Sequence, residues 1–323
     1  MIRARVIGCG AFLPDNVVTN DDLASKVDTS DAWIRERTGI AQRYIAKDDQ
    51  TTSDLALGAA RAALTDASID AGELDMVIVA TTTPDQSFPS VATMVQSRLG
   101  MSRGAAFDVQ AVCSGFIYGM SLADSLIRTG QARTILLIGA ETMSRLLDWS
   151  DRATCVLFGD GAGAVVLQAH VGHGDNSDQG ILNTRIFSDG RLHDLLYADG
   201  GVSSTRSAGL LRMQGKEVFK HAVTNIAAAI EASAAAAGIP VSEVDWFVPH
   251  QANQRILDGT AKRLGIDPAK VVSTVARHGN TSAASVPLAL VTAVQDGRIQ
   301  RDNLVLLEAM GAGFTWGACL LRW

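Results

Sequence analysis

Short apolar runs alternate with alanine-rich amphipathic stretches along the whole chain. The apolar runs have strand length and almost no polar interruption, at residues 76–82, 134–140, 164–168, 246–249 and 304–309. Runs of this kind are typical of strands that are buried on both faces. The stretches between them have helical length and composition, as in FKHAVTNIAAAIEASAAAAG at 219–238. Buried strands that alternate with helices predict an α/β layered fold.

The two halves of the chain repeat this pattern. Asp75 and Asp245 each precede an apolar run at matching points, at an offset of 170. Gly130 and Gly297 each end a helical stretch, at an offset of 167. We therefore predict a duplication, with one α/β half in residues 1–170 and the other in residues 171–323. Duplicated halves pack about a pseudo-two-fold axis, and the offset of 167 pairs Cys113 with Asn280 in one pocket.

Composition and charge narrow the class of protein. The 323 residues are 47% hydrophobic and 19% charged, as in a globular protein, and the net charge is −6. A mildly acidic chain argues against general nucleic-acid binding, which needs a basic surface. No apolar run approaches the roughly 20 residues of a membrane span, and the start lacks the apolar region of a signal peptide. We expect a cytoplasmic protein with no nucleic-acid or membrane partner.

One of the four cysteines stands out. Cys9, Cys155 and Cys319 lie in apolar, strand-like segments, where cysteine acts as a small hydrophobic residue. Cys113 instead begins a helical stretch and is followed by small residues, so backbone N–H groups and the helix dipole should lower its pKa. No CxxC spacing is present, and the HxxH of residues 170–173 lies in a polar loop, so we expect neither a redox pair nor a metal.

Two histidines compete for a catalytic role near the cysteine. His250 follows an apolar run directly and is flanked by polar residues, whereas His278 stands two positions before Asn280 in RHGNTSAAS. The repeat favours Asn280 as the pocket residue and His278 as support for its loop. Ligand sites of α/β folds gather at the carboxyl ends of strands, where Cys113, His250 and Asn280 are all expected.

Two glycine-rich segments have different interpretations. FGDGAGAVVL at 158–167 has no helix after its glycines, so a tight turn between strands is favoured over a nucleotide-binding loop. GAGFTWG at 311–317 follows a strand and can bring backbone N–H groups close to a ligand. That arrangement is typical of an oxyanion hole.

Six ordered motifs resemble those of β-ketoacyl-acyl carrier protein synthase III, a family of the thiolase-like superfamily. They lie at 28–40, 107–116, 151–167, 249–256, 277–287 and 311–317. The resemblance extends from the amino terminus to the last residues. It implies a thiolase-like fold, with duplicated α/β halves in a five-layer α-β-α-β-α arrangement.

The resemblance also implies a reaction. Cys113, His250 and Asn280 match the catalytic residues, and the backbone N–H groups of Cys113 and Ala312 match the oxyanion hole. An acyl-CoA, acetyl-CoA by expectation, would acylate Cys113. Malonyl-acyl carrier protein would then lose CO2 and attack the acyl group, initiating fatty-acid synthesis. Acyl-CoA is a substrate here, and no permanently bound cofactor or metal is implied.

Further residues match binding positions of the family. The CoA contacts would be Thr29, Trp33, Arg37, Arg152 and Asn253. Acyl carrier protein is acidic, and the basic face of this chain that docks it would comprise Lys220, Arg255, Lys262 and Arg263. The family implies a homodimer in which Phe88 of one subunit caps the acyl pocket of the other and favours a short primer.

Departures from the family leave alternatives open. Val112 and Ala312 replace the usual Ala and Gly, and residues 196–215 match poorly, so primer length is undetermined. A condensing enzyme or acyltransferase of secondary metabolism, with another starter or acceptor, is the main alternative. A non-catalytic binding subunit is disfavoured because Cys113, His250 and Asn280 are all present. A degradative thiolase is disfavoured because its second active-site cysteine is missing.

Overall fold

The computed structural model describes all of residues 1–323. Its strands are β1 (Ile2–Phe12), β2 (Val17–Thr19), β3 (Gln42–Tyr44), β4 (Met76–Ala80), β5 (Ala105–Val109), β6 (Thr134–Thr142), β7 (Asp160–Val171), β8 (Gly180–Ser188), β9 (Leu196–Ala198), β10 (Leu211–Met213), β11 (Trp246–Pro249), β12 (Leu304–Gly311) and β13 (Thr315–Arg322). Its α-helices are α1 (Asn20–Ala24), α2 (Asp31–Thr38), α3 (Thr52–Ala67), α4 (Val91–Arg98), α5 (Gly115–Arg128), α6 (Gly215–Ala237), α7 (Gln254–Leu264), α8 (Val275–His278) and α9 (Ser285–Gln295).

Two central sheets share one strand order. The first runs β1-β7-β6-β4-β5 and the second runs β8-β13-β12-β11. In both, the first three strands pair antiparallel and the third pairs parallel with the fourth. An isolated parallel bridge between Phe247 and Val271 occupies the place of the fifth strand in the second sheet. The duplicated halves that the sequence predicts are therefore confirmed in the fold.

Paired aspartates fix the same junction in each half. The Asp75 carboxylate accepts a hydrogen bond from the backbone N–H of Thr134 at 3.0 Å, at the start of β6. The Asp245 carboxylate accepts one from the backbone N–H of Leu304 at 2.8 Å, at the start of β12. The residue type and its spacing are thus conserved between the halves because each aspartate ties one parallel strand to its neighbour.

Five layers follow from the way each strand is buried. On β4, Val77 packs with the apolar face of α3, whereas the adjacent Ile78 packs with α5 and α9 between the two sheets. On β12, Leu306 packs with α6 and α7 and Leu307 faces the central helices. Because successive side chains of a strand point to opposite faces, a strand covered on both sides must be apolar throughout. This explains the continuous apolar runs, and the predicted α-β-α-β-α arrangement is confirmed.

The predicted equivalence of Cys113 and Asn280 as matching positions of the two halves is wrong. A 3-10 turn at Val112–Ser114 precedes α5, and a 3-10 turn at Ser282–Ala284 precedes α9. These turns are equivalent at the offset of 170, so the counterpart of Cys113 is Ala283. The offset of 167 arises further along, because α9 has 11 residues where α5 has 14. Asn280 nevertheless reaches the same cavity, three residues before that counterpart.

No helix of the protein is both long enough and apolar enough to cross a bilayer. The predicted boundary between the halves near residue 170 falls at the end of β7, before β8 begins the second sheet. That boundary stays a prediction.

Candidate active site

A cavity of about 530 Å³ brings Cys113, His250 and Asn280 together. Each of the three residues is nearly inaccessible, with exposures of 4%, 5% and 6%. Most of the 21 lining residues are hydrophobic, and the charged ones are exposed and basic. A narrow apolar cavity that ends at a few polar groups is typical of a small-molecule site.

The backbone around Cys113 is held in an unusual conformation. The preceding Val112 has φ of +48°, which is rare for a β-branched residue. The Ser114 hydroxyl lies 2.7 Å from the Ala111 carbonyl and 2.7 Å from the Thr315 hydroxyl, which ties the turn to β13. Strain of this kind persists only where surrounding contacts enforce it, and here it sets the position of Cys113.

Gly311 lies directly against the Cys113 amide. A Cβ atom at this position would lie 2.7 Å from the Cys113 nitrogen and 3.1 Å from the Ser114 nitrogen. Only glycine therefore allows β12 to lie this close to the turn that carries Cys113. The predicted second oxyanion donor, Ala312, does not line the cavity itself, although Gly311 on one side and Phe314 beyond it do.

The Cys113 thiol does not have the lowered pKa that its position in the sequence suggests. Burial raises its pKa to about 12 and outweighs the opposing effects of Ser282 and the backbone N–H. Because a thiol with so high a pKa keeps its proton at neutral pH, its reaction requires a proton acceptor.

His250 is neutral and oriented through one ring nitrogen. It follows β11, and its backbone N–H donates to the Glu308 carbonyl at 2.9 Å. Its Nδ1 lies 2.5 Å from the Ser285 hydroxyl, which leaves Nε2 for a ligand. Complete burial lowers the pKa of His250 to about 3, so the ring is uncharged at neutral pH.

Asn280 is fixed by contacts on both sides. Its backbone N–H donates to the Leu157 carbonyl at 2.8 Å, and its own carbonyl accepts from the Gly159 N–H at 3.0 Å. Its Oδ1 accepts from the Ser282 backbone N–H at 2.9 Å. The Nδ2 group is therefore the part of the amide that remains for a ligand, as a donor.

The competing histidine lies outside the cavity. His278 is buried, with an exposure of 6%, but is absent from the cavity lining, and its ring lies edge-on to Tyr44 with centroids 6.0 Å apart. Of the two histidines that the sequence left open, only His250 shares a cavity with Cys113 and Asn280.

Comparison with known proteins identifies the family. Residues 107–190 match the family profile of 3-oxoacyl-[acyl-carrier-protein] synthase III, and residues 234–323 match the profile of its C-terminal part. The beta-ketoacyl-[acyl-carrier-protein] synthase III of Rhodospirillum rubrum is 64% identical over 323 residues, all of both chains. The crystal structure of the synthase III of Aquifex aeolicus is 47% identical, with a TM-score of 0.93 over 99% of this chain and 100% of that one. A priming β-ketosynthase of the R1128 polyketide pathway is 34% identical, with a TM-score of 0.93 over 99% of this chain and 96% of that one.

The chain belongs to the 3-oxoacyl-[acyl-carrier-protein] synthase III family. Its resemblance to that family, its thiolase-like fold and its class as an acyltransferase are thereby confirmed. The individual residue roles stay predictions, and the structure shows where each residue lies.

The residues predicted to contact CoA lie at and beyond the mouth of this synthase III cavity. Arg37 and Asn253 line the cavity directly. The Arg37 guanidinium lies 4.5 Å from the centroid of the Trp33 ring, and that of Arg152 lies 5.2 Å from it. Thr29 does not line the cavity, and its hydroxyl is buried without a hydrogen-bond partner. Asn253 also caps α7 through its side-chain oxygen, at 3.1 Å from the Ile256 N–H.

The predicted carrier-protein contacts are exposed and lie on two neighbouring helices. They are Lys220 on α6 and Arg255, Lys262 and Arg263 on α7. Arg255 also lines the cavity mouth, together with Lys216, which the sequence analysis missed. A lysine in the first turn of a helix after an unmatched segment gave no signal that distinguishes it from an ordinary surface charge.

Phe88 lies apart from the cavity of its own chain. Its side chain is 83% exposed, and it is not a lining residue. The segment 196–215, by contrast, supplies Leu196, Met213 and Gly215 to the lining. No group of three or more metal-binding side chains occurs in the protein.

Two buried carboxyl groups near the site were missed. Glu141 and Glu308 interrupt the apolar runs of β6 and β12, and both are almost completely inaccessible. An acidic residue within a buried strand is itself the signal that could have found them, because buried carboxyl groups need a specific reason.

The Glu308→Gln variant should gain stability relative to the natural protein as pH rises. One carboxyl oxygen of Glu308 lacks a hydrogen-bond partner, and burial raises its pKa from 4.5 to about 8. The unfolded chain therefore loses this proton near pH 4.5, while the folded chain keeps it to about pH 8. Across that interval the free energy of unfolding of the natural protein falls as pH rises, whereas Glu308→Gln has no such carboxyl group and lacks this fall. Urea unfolding should show a difference between variant and natural protein that shifts by up to about 4 kcal/mol between pH 5 and pH 9. A difference that stays constant with pH would contradict this assignment.

Proposed function

We propose that this protein initiates type II fatty-acid synthesis. An acyl-CoA acylates Cys113, and decarboxylative Claisen condensation with malonyl-acyl carrier protein then yields 3-oxoacyl-acyl carrier protein, CO2 and CoA. The observation that carries the proposal is the joint placement of a buried thiol and two neutral hydrogen-bond donors in one cavity.

The first half-reaction uses the thiol and the space beside Gly311. Cys113 attacks the thioester carbonyl of the acyl-CoA, and the developing oxyanion lies near the Cys113 backbone N–H, where Gly311 leaves room. Backbone donors of this kind stabilise an oxyanion most effectively in a site that excludes water. The pantetheine arm occupies the cavity, and the nucleotide lies against Trp33, between the two guanidinium groups described above.

The second half-reaction uses His250 and Asn280. Loss of CO2 from the malonyl thioester leaves an enolate, whose oxygen accepts hydrogen bonds from Nε2 of His250 and Nδ2 of Asn280. The carbanion then attacks the acyl group on Cys113. Neutral donors suit this task because they stabilise the charge that develops without binding the ground-state thioester equally well. We propose that the reaction needs no bound cofactor and no metal.

Acyl carrier protein is the proposed carrier of the second substrate, the malonyl group. The chain has a net charge of −6, yet the charged side chains that line the cavity, Arg37, Lys216 and Arg255, are all cationic. With Lys220, Lys262 and Arg263 they form a local basic surface. Complementary charge steers an acidic partner to the site even when the overall charges repel. Because acyl-CoA thioesters and carrier protein are used inside the cell, we place the protein in the cytoplasm.

A homodimer is the proposed assembly. β5 is an edge strand that pairs only with β4, which leaves its other edge free to pair with a second copy. Phe88 is highly exposed in the loop between β4 and α4, so it is available to a neighbouring subunit. We propose that it caps the partner's acyl pocket and favours a short primer such as acetyl.

A starter other than acetyl is the second candidate function. It is favoured by the 34% identity to a priming ketosynthase of a polyketide pathway, together with the poorly matched segment 196–215 that lines the cavity. The same Cys113 chemistry would serve either function, so only the choice of primer and acceptor separates them.

A primer panel tests the proposed function. We expect acetyl-CoA to be used at least about tenfold more efficiently than octanoyl-CoA or branched primers, because each misfit in a closed pocket raises the barrier by about 1–3 kcal/mol. We also expect malonyl-acyl carrier protein to be preferred over malonyl-CoA. The measurement is kcat/KM for 3-oxoacyl product formation with each primer and acceptor. Preference for a longer primer, or for malonyl-CoA, would favour the second function, and absence of any condensation would overturn both.

A further inference from the structure

Glu141 is a buried carboxyl group with contacts on both oxygens. It lies on β6 with an exposure of 0%. Its Oε2 accepts hydrogen bonds from the Thr83 hydroxyl at 2.6 Å, the Thr82 N–H at 3.1 Å and the Thr81 hydroxyl at 3.2 Å. Its Oε1 accepts from the Ser282 hydroxyl at 3.0 Å. The two half-reactions described above give this group no role.

Ser282 connects the carboxyl group to the nucleophile. Its side chain lies near the Cys113 thiol, whose pKa it lowers. The two residues lie on the equivalent 3-10 turns before α9 and α5, which pack together: a Cβ at Gly115 would lie 3.6 Å from that of Ala283. Ser282 has φ of +50°, as Val112 has +48° in the other half. Both turns are thus held in an unusual conformation where they meet.

The orientation of the serine hydroxyl suits proton transfer. The Ser282 hydroxyl has one hydrogen, which lowers the pKa of the thiol only when it points at the sulfur. When it is instead donated to Glu141, the oxygen keeps a lone pair that can accept the proton of Cys113. Burial raises the pKa of Glu141 to about 7, whereas it lowers that of His250 to about 3. Of the two groups, the carboxylate is therefore the stronger base toward the thiol.

We propose that Ser282 and Glu141 form the proton relay that activates Cys113, an inference that rests on the proposed function. As the thiol attacks the acyl-CoA carbonyl, its S–H bond breaks and the proton bonds to Oγ of Ser282. The hydroxyl proton of Ser282 passes at the same time to Oε1 of Glu141. When the carbonyl re-forms and the C–S bond to CoA breaks, both transfers reverse, and Oγ delivers a proton to the departing CoA thiolate. The acyl-enzyme and free CoA thiol result, and the relay returns to its starting state.

The relay keeps the buried charge constant. Before transfer the negative charge is on Glu141, and after transfer it is on the sulfur or the oxyanion. Creating a new charge in a site of low dielectric is expensive, whereas moving an existing one over a short distance is not. Moving the existing charge of Glu141 to the sulfur therefore costs less free energy than ionising Cys113 as a second charged group in the same site.

A purely structural role for Glu141 predicts that its replacement changes the acylation rate in the opposite direction. The ionised carboxylate raises the pKa of the Cys113 thiol by repulsion. If repulsion and anchoring of Thr81, Thr82 and Thr83 were its only effects, a neutral residue at this position would make the thiol easier to ionise. Acylation would then become faster.

Glu141→Gln, Ser282→Ala and the double variant provide the test. We measure the single-turnover rate of acetyl transfer from acetyl-CoA to Cys113 by rapid quench and intact-protein mass spectrometry. The relay predicts a loss of about 100-fold in each single variant, as is typical of a lost general base, and no further loss in the double variant. Because Ser282→Ala removes the path but keeps the carboxyl group, it remains informative if Glu141→Gln fails to fold.

Ser144→Ala serves as the matched control. It removes another buried serine–carboxylate contact, the 2.6 Å bond from the Ser144 hydroxyl to Asp160, at residues outside the cavity lining. We expect it to acylate at the rate of the natural protein. Acylation as fast as or faster than that of the natural protein in Ser282→Ala or Glu141→Gln would overturn the relay. Absence of acylation in the natural protein itself would instead overturn the proposed function.

Discussion

Cys113→Ala should fold normally and form neither acyl-enzyme nor condensation product, with a loss of roughly 10⁴-fold or more in kcat/KM. Cys113 is the only thiol among the 21 residues that line the cavity, and no hydroxyl group lines it either. No other thiol or hydroxyl group therefore reaches a bound thioester. The exchange of a buried SH for hydrogen removes little volume, so the fold should persist.

Acyl-enzyme formation is measured by intact-protein mass spectrometry after incubation with acetyl-CoA, and the modified peptide is then mapped. Cys155→Ala is the matched control, because Cys155 is also a buried free thiol but lies in a separate hydrophobic cluster with Ile34 and Val156. We expect the control to gain one acetyl group at Cys113. A stable adduct or continued condensation in Cys113→Ala would show that another residue carries the acyl group.

Gly311→Ala should lose about 10²- to 10³-fold in kcat, the range seen when one oxyanion donor is removed, and should unfold at a lower temperature than the natural protein. The added methyl group would lie 2.7 Å from the Cys113 nitrogen, 3.0 Å from the Ala111 carbonyl oxygen and 3.1 Å from the Ser114 nitrogen. All three are backbone atoms of the strained nucleophile turn, so they have little freedom to withdraw. The methyl group therefore occupies the space that the thioester oxygen needs.

The measurement separates turnover from binding and from stability. kcat falls and KM changes little if the methyl group blocks only the transition-state oxyanion. Gly72→Ala is the control, because a Cβ at that position would meet nothing within 4 Å. Thermal unfolding of both variants gives the temperature at which each is fully folded for the assay. Turnover within threefold of the natural protein in Gly311→Ala would place the oxyanion elsewhere.

The nature of the site could be predicted from residue types, but its electrostatics could not. Cys113 stands before a helix in the sequence, which suggests a thiolate, yet burial raises its pKa to about 12. The sequence favoured His250 over His278 without excluding His278, and the fold places only His250 in the cavity. Burial of a group depends on residues distant in sequence, so local patterns do not report the resulting pKa.

The comparison of the two halves also shows what the sequence could and could not predict. The spacing of Asp75 and Asp245 correctly predicts a structural repeat, because each aspartate makes a local contact with the adjoining strand. The spacing of Gly130 and Gly297 misassigns Asn280, because α9 is three residues shorter than α5. A deletion inside a helix changes the offset after it without changing the pattern on either side.

The sequence by itself determined the α/β layers and the duplication, because strand burial and helix periodicity show in neighbouring residues, and it singled out Cys113 as the candidate nucleophile. Only the tertiary structure decided which groups meet across the two halves: Ser282 against Cys113, and Glu141 behind both. Those contacts form when the turns Val112–Ser114 and Ser282–Ala284 pack against each other. The pKa values of these groups depend on how completely this packing excludes water, and no local sequence pattern encodes that exclusion.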